Sequence, residues 1–105
     1  MKIVQLGKST ADENEILNIL NEECSEVIQA VSKVFRFGWE SCDPRKPNYS
    51  NRAHLTEEIG DLLCMVKILT DKGIINEESV TRAMWEKMNK LKRFSNIDLS
   101  YLETA

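Results

Sequence analysis

The chain holds a single histidine, His54, and that scarcity excludes much chemistry at once. Ser-His or Cys-His catalysis would have to run through this one side chain, and zinc sites draw on several His or Cys ligands. A helix-surface or helix-start position is the better reading of His54. The three cysteines, Cys24, Cys42 and Cys64, form no CxxC pair and leave one over. Cys24 and Cys64 fall within apolar helical stripes and are expected to be buried free thiols. No run approaches the roughly 20 apolar residues that span a bilayer. The opening residues are too short for a signal-peptide core, so a cytoplasmic protein without membrane association is expected. There is no basic excess either. The net charge of -3 offers no bulk attraction to nucleic acid, so any phosphate binding has to be local.

With 105 residues the chain is expected to form one domain, 1–105. Its only two prolines, Pro44 and Pro47, fall together with Gly38 between Phe37 and Ser50, where all periodicity stops. That segment is predicted to be a loop. Before it, Ile16, Leu20, Val27, Val31 and Val34 recur at helical spacing and predict a helix over about 12–36, capped by Thr10 or Asp12. After it, Leu55, Ile59, Leu62, Val66 and Leu69 predict a helix over about 52–72, stopped by Gly73. Asn76 offers a cap for a third helix over about 77–93, whose apolar face is Val80, Met84, Met88 and Leu91. Ile97, Leu99 and Leu102 are expected to pack as a short extra segment. The fold class is therefore all-α. The first two helices carry apolar arcs wider than one facing helix would bury, so a homodimer or homotetramer completing a four-helix-bundle core is expected.

The informative anomaly is where the acids fall. Glu23 lies inside the apolar arc of the first helix, with Glu26 at its edge; Glu22 points farther out. On the second helix Glu58 and Asp61 share one side, which Met65 and Ile68 continue with apolar atoms. A lone ExxE spacing is more often a solvated face. Two acidic pairs on consecutive helices, each intruding on apolar surface, favour a bound cation, because unpaired buried carboxylates cost several kcal/mol and repel one another. All-oxygen donors select Mg2+, with Mn2+ as a substitute, rather than zinc or copper. Magnesium accepts phosphate oxygens among its ligands, which suits a nucleotide polyphosphate. Glu57 is read as an ordinary solvated charge.

These residues carry a resemblance. Glu22-Glu23-Cys24-Ser25-Glu26 followed by Glu58-Ile59-Gly60-Asp61 resembles the EExxE and ExxD motifs of the MazG-like, all-α nucleoside triphosphate pyrophosphohydrolases, small phage-type members included. The likeness covers roughly residues 18–94. It implies a helical oligomer that cleaves a nucleoside triphosphate to the monophosphate and pyrophosphate. By matching positions it implies Glu23, Glu26, Glu58 and Asp61 as metal ligands and Glu22 as an auxiliary group. Glu22 or Glu26 would take the proton of the attacking water, and the sequence does not choose between them.

For the substrate, Lys33, Arg36, Lys87 and Lys90 are candidate phosphate contacts. Trp39, freed by Gly38, is the candidate for stacking on a base. Phe35 is assigned to the core, and Met84 and Trp85 to core or oligomer packing. Asn48 and Asn51 serve either a base or the loop itself. Three other readings compete with the enzyme: a non-catalytic helical assembly protein, a di-iron bundle that lacks its usual ExxH pairs, and a nucleic-acid-binding domain resting on the basic third helix. A phosphoribosyl-ATP pyrophosphatase is the alternative substrate class.

Overall fold

The computed structural model describes residues 7–102, and these form an all-α protein with three helices. Helix α1 spans Ala11–Phe37, α2 spans Asn51–Asp71 and α3 spans Glu77–Phe94. Among the described residues the only β-type pairing is an isolated bridge between Cys42 and Ser50.

Each helix end has a chemical cause. Thr10 is the N-cap of α1: its hydroxyl accepts from the Glu13 N–H (3.1 Å), and the Glu13 carboxylate accepts from the Thr10 N–H (2.8 Å). Two N–H groups that a helix start leaves unpartnered are thereby satisfied. At the other end the Gly38 N–H donates to the Val34 carbonyl (2.8 Å), and Gly38 turns the chain away at φ 90°, a conformation that costs glycine little. Ser50 opens α2 by accepting from the Ala53 N–H (3.1 Å).

The chain falls into two compact units, one running through Leu69 and the other starting at Thr70. In the first, α2 runs back along α1 as a helical hairpin. Its closed end is tied by Asn51, whose side-chain amide donates to the Gly38 carbonyl (3.0 Å) and the Lys33 carbonyl (3.4 Å). Asn51 is thus a structural clasp, which decides between its two sequence readings. The buried apolar side chains of the described residues are Ile16, Ala30, Met65 and Leu69, all in α1 and α2. Each large one contributes on the order of 1.5–3 kcal/mol.

The second unit holds the end of α2, a turn through Gly73 (φ 70°), and α3, which Asn76 caps by accepting from the Ser79 N–H (2.9 Å). No residue of α3 is buried, and Val80, Met88 and Leu91 are half-buried. After α3, Leu99 and Leu102 are half-buried and joined by a turn hydrogen bond (3.0 Å), while Ile97 is exposed.

Several burial expectations are overturned. Cys24 and Cys64 are exposed, as is Cys42. Phe35, assigned to the core, is 86% exposed, whereas the half-exposure of Met84 and Trp85, at 55% and 47%, removes only the core half of their reading and leaves oligomer packing open to them. The reason is geometric. Leu17, Cys24, Ile28 and Phe35 line up on α1 as a second apolar stripe beside the one that α2 covers, and Leu63 with Cys64 lies on the uncovered side of α2. A hairpin covers one stripe of each helix, and the sequence pattern does not say which.

Candidate active site

On α1 the buried stripe runs through Ile16 and Ala30, and Glu23 sits midway between them, two turns from each. On α2 the buried Met65 is two turns beyond Glu58 and one turn beyond Asp61. The same faces that build the hairpin's apolar contact therefore turn carboxylates toward one another. Oxygens of Glu23, Glu58 and Asp61 all lie within 4.8 Å of each other; Glu23 and Glu58 are partly buried and Asp61 is exposed. Glu26, half-buried, falls outside this trio, and Glu22 is exposed.

The electrostatic signature is on Glu23. Partial burial pushes its carboxyl above the usual range, and the charges of Asp61, Glu58, Glu26 and Glu22 add to the effect in that order. Proximity of like charges and loss of water both disfavour the ionised form. Three hard oxygen donors at ligand spacing, with like charges crowding Glu23, are a donor set that could hold a hard divalent cation.

Two partnerships around the trio escaped the sequence reading. His54, in the first turn of α2, places Nε2 3.3 Å from Glu58 Oε1, with side chains only 19% and 14% exposed. Its spacing of four residues from Glu58 was the available signal. Tyr49 donates its hydroxyl hydrogen bond to Glu57, which is therefore not a plain solvated charge. That bond, with burial and the nearby charges of Glu57, Glu58 and Asp61, pushes the Tyr49 phenol up to about 12. The Tyr49 and His54 rings lie 5.7 Å apart, so the loop, the histidine and the Glu58 carboxylate form one chain of contacts.

The remaining substrate candidates are scattered. Lys33 and Arg36 line a cavity of about 1040 Å³ beside the loop, with Arg36 over the Phe37 ring (5.1 Å). Trp39 is 45% exposed, but the Arg52 guanidinium, itself bonded to Glu40 (2.7 Å), covers one face of its ring at 4.7 Å. Lys87 and Lys90 are exposed on α3, in the second unit.

Facing helices that gather carboxylates in a bundle define a class of all-helical proteins built around divalent ions. Within that class, the family profile of the MazG nucleotide pyrophosphohydrolase domain matches residues 11–93, and the chain belongs to this family. It is accordingly an enzyme of the nucleotide pyrophosphohydrolase type, and the family is generally dependent on a divalent metal. Comparison with curated proteins and with solved structures gives no match. No helix of the described residues is long and apolar enough to cross a membrane.

Proposed function

We propose that this protein, acting as one domain over residues 1–105, hydrolyses a nucleoside or deoxynucleoside triphosphate to the monophosphate and pyrophosphate, using Mg2+ or Mn2+. The observation that carries the reading is the meeting of Glu23, Glu58 and Asp61 within 4.8 Å across two helices of the matched family domain. These three would hold the ion, with Glu26 joining them. A bound ion of this kind draws charge off phosphate oxygens and lowers the pKa of a nearby water.

The chain's own groups do the rest. Glu22 and Glu26, both close enough to raise the Glu23 carboxyl, are the bases available to take the proton of the attacking water. Lys33 and Arg36 from the end of α1, with Lys87 and Lys90 from α3, neutralise phosphate charge. Trp39 offers its uncovered ring face to the base. The exposed stripe of Leu17, Ile28 and Phe35 supports assembly as a homodimer or homotetramer in the cytoplasm, since apolar surface of that extent marks an interface.

The test is a panel of canonical and modified triphosphates with magnesium, scored for pyrophosphate release, alongside Glu23→Gln and Asp61→Asn. Release by the wild type that persists in both variants removes the site from the reaction.

A further inference from the structure

We propose that the cavity walled by the end of α1 and the 39–50 loop is an anion site for the pyrophosphate-bearing end of the nucleotide, with Lys46 as its loop-borne contact. The inference rests on the triphosphate reading above and deepens it by orienting the substrate.

Four of the twelve residues lining the cavity are Lys or Arg, against one acid, Asp43. That acid is spent locally: Arg45 binds it through both its guanidinium (2.8 Å) and its backbone N–H (2.9 Å), holding the Asp43 carboxyl down at about 2. Lys33 and Arg36 make no ion pair with a carboxylate among the described residues, and neither does Lys46, whose charge only adds to those that hold Asp43 down. Two unpaired cations and a third only partly offset by Asp43, around one space in a chain of net charge -3, call for a polyanion.

Arg36 lies over the Phe37 ring at 5.1 Å and Lys46 over the Tyr49 ring at 5.5 Å, so each ring has a face given to a cation. Ring faces used this way hold positive charge in place. The position is also right for the reaction. His54 lines this cavity and also contacts Glu58 at 3.3 Å, so the anion site adjoins the carboxylate trio across a single side chain. A phosphate chain can run from the trio into the cavity, leaving the nucleoside outside it. The volume, about 1040 Å³, is at the generous end of ligand pockets and leaves room for a hydrated anion.

The experiment is calorimetric binding of inorganic pyrophosphate, and separately of the common nucleoside monophosphates, to the full chain with magnesium present. Lys46→Ala and Arg36→Ala are expected each to weaken pyrophosphate binding by about tenfold, the double variant by more, with monophosphate affinity unchanged. Lys46→Arg should restore binding. Both alanine positions are exposed, and helical circular dichroism checks the fold. Pyrophosphate affinity unchanged in the double variant overturns the proposal, as does an equal loss for the monophosphates, which would put the nucleoside in the cavity. Wild-type protein that binds pyrophosphate through these cations yet releases none from any triphosphate upholds the cavity and sinks the catalytic reading, so the two failures are told apart.

Discussion

The middle of the α1–α2 hairpin and its closed end are built on opposite electrostatic plans. In the middle, Glu23, Glu58 and Asp61 crowd within 4.8 Å, and among the described residues only His54, beside Glu58, pairs with any of them. At the closed end the acids and the clasp amide are matched, Asn51 to two carbonyls, Asp43 to Arg45, Glu40 to Arg52 and Glu57 to Tyr49, and the surplus charge is cationic, on Lys33, Arg36 and Lys46. The crowded negative charge is confined to where a cation would sit, and the hydrogen-bonded closed end holds the two helices in the register that creates it. Strain at a site and order beside it are parts of one arrangement.

The comparison can be attacked at four points. The largest effect belongs to the trio: Asp61→Asn or Glu23→Gln should lower pyrophosphate release by at least about a hundredfold. In the absence of metal the same variants should melt higher than the wild type, because each removes a repelling charge. Magnesium should raise the wild-type melting temperature and leave the variants unmoved. Variants that melt lower without metal would show that the carboxylates are not in conflict.

Next comes His54, the link between the two ends. His54→Ala should weaken Mn2+ binding roughly 10- to 100-fold, as loss of a group orienting a ligand carboxylate does, measured by the paramagnetic relaxation of bound water protons. An unchanged affinity would make the contact incidental.

At the closed end the expected effects are structural and smaller. Asn51→Ala removes both bonds to the α1 terminus and should cost about 1 kcal/mol in urea unfolding, with no first-order change in the metal affinity of what remains folded. The smallest effect is on Tyr49. Its phenol, ordinarily near 10, is pushed up to about 12, so ultraviolet titration should show one tyrosine keeping its proton well past pH 10, and Glu57→Gln should bring it back down. Because the folded value is the raised one, the stability this bond contributes is fully present below about pH 10 and lost as the pH climbs through about 12.

Much of this was readable from residue order. The helix limits come within a residue of the periodic stretches because Thr10, Asn76 and Gly73 are chemically committed to ending helices. Glu23, Glu58 and Asp61 could be picked out because they interrupt apolar stripes. Spacing alone could not tell that Glu26, three residues from Glu23, falls outside the trio while Asp61, three residues from Glu58, falls inside it. What stayed hidden depends on where the chain returns to itself. Tyr49 reaches Glu57 across a loop and a helix start, and no periodicity encodes that meeting. The exposure of Phe35, Cys24 and Cys64 was equally hidden, since each helix carries two apolar stripes of similar strength and only the partner's position selects one.

The Asn51 clasp has an evolutionary corollary. One amide grips two carbonyls at the α1 terminus, and backbone bonds from Asn51 to Ser41 and from Arg52 to Trp39 tie the start of the loop to α2, so only the loop's tip, about 43–48, is released from that duty. Insertions, deletions and charge swaps there can remodel what the protein welcomes while the helices keep their alignment. Relatives descended from such an ancestor would diverge fastest in this segment, trading ligand preference freely at nearly constant folding stability.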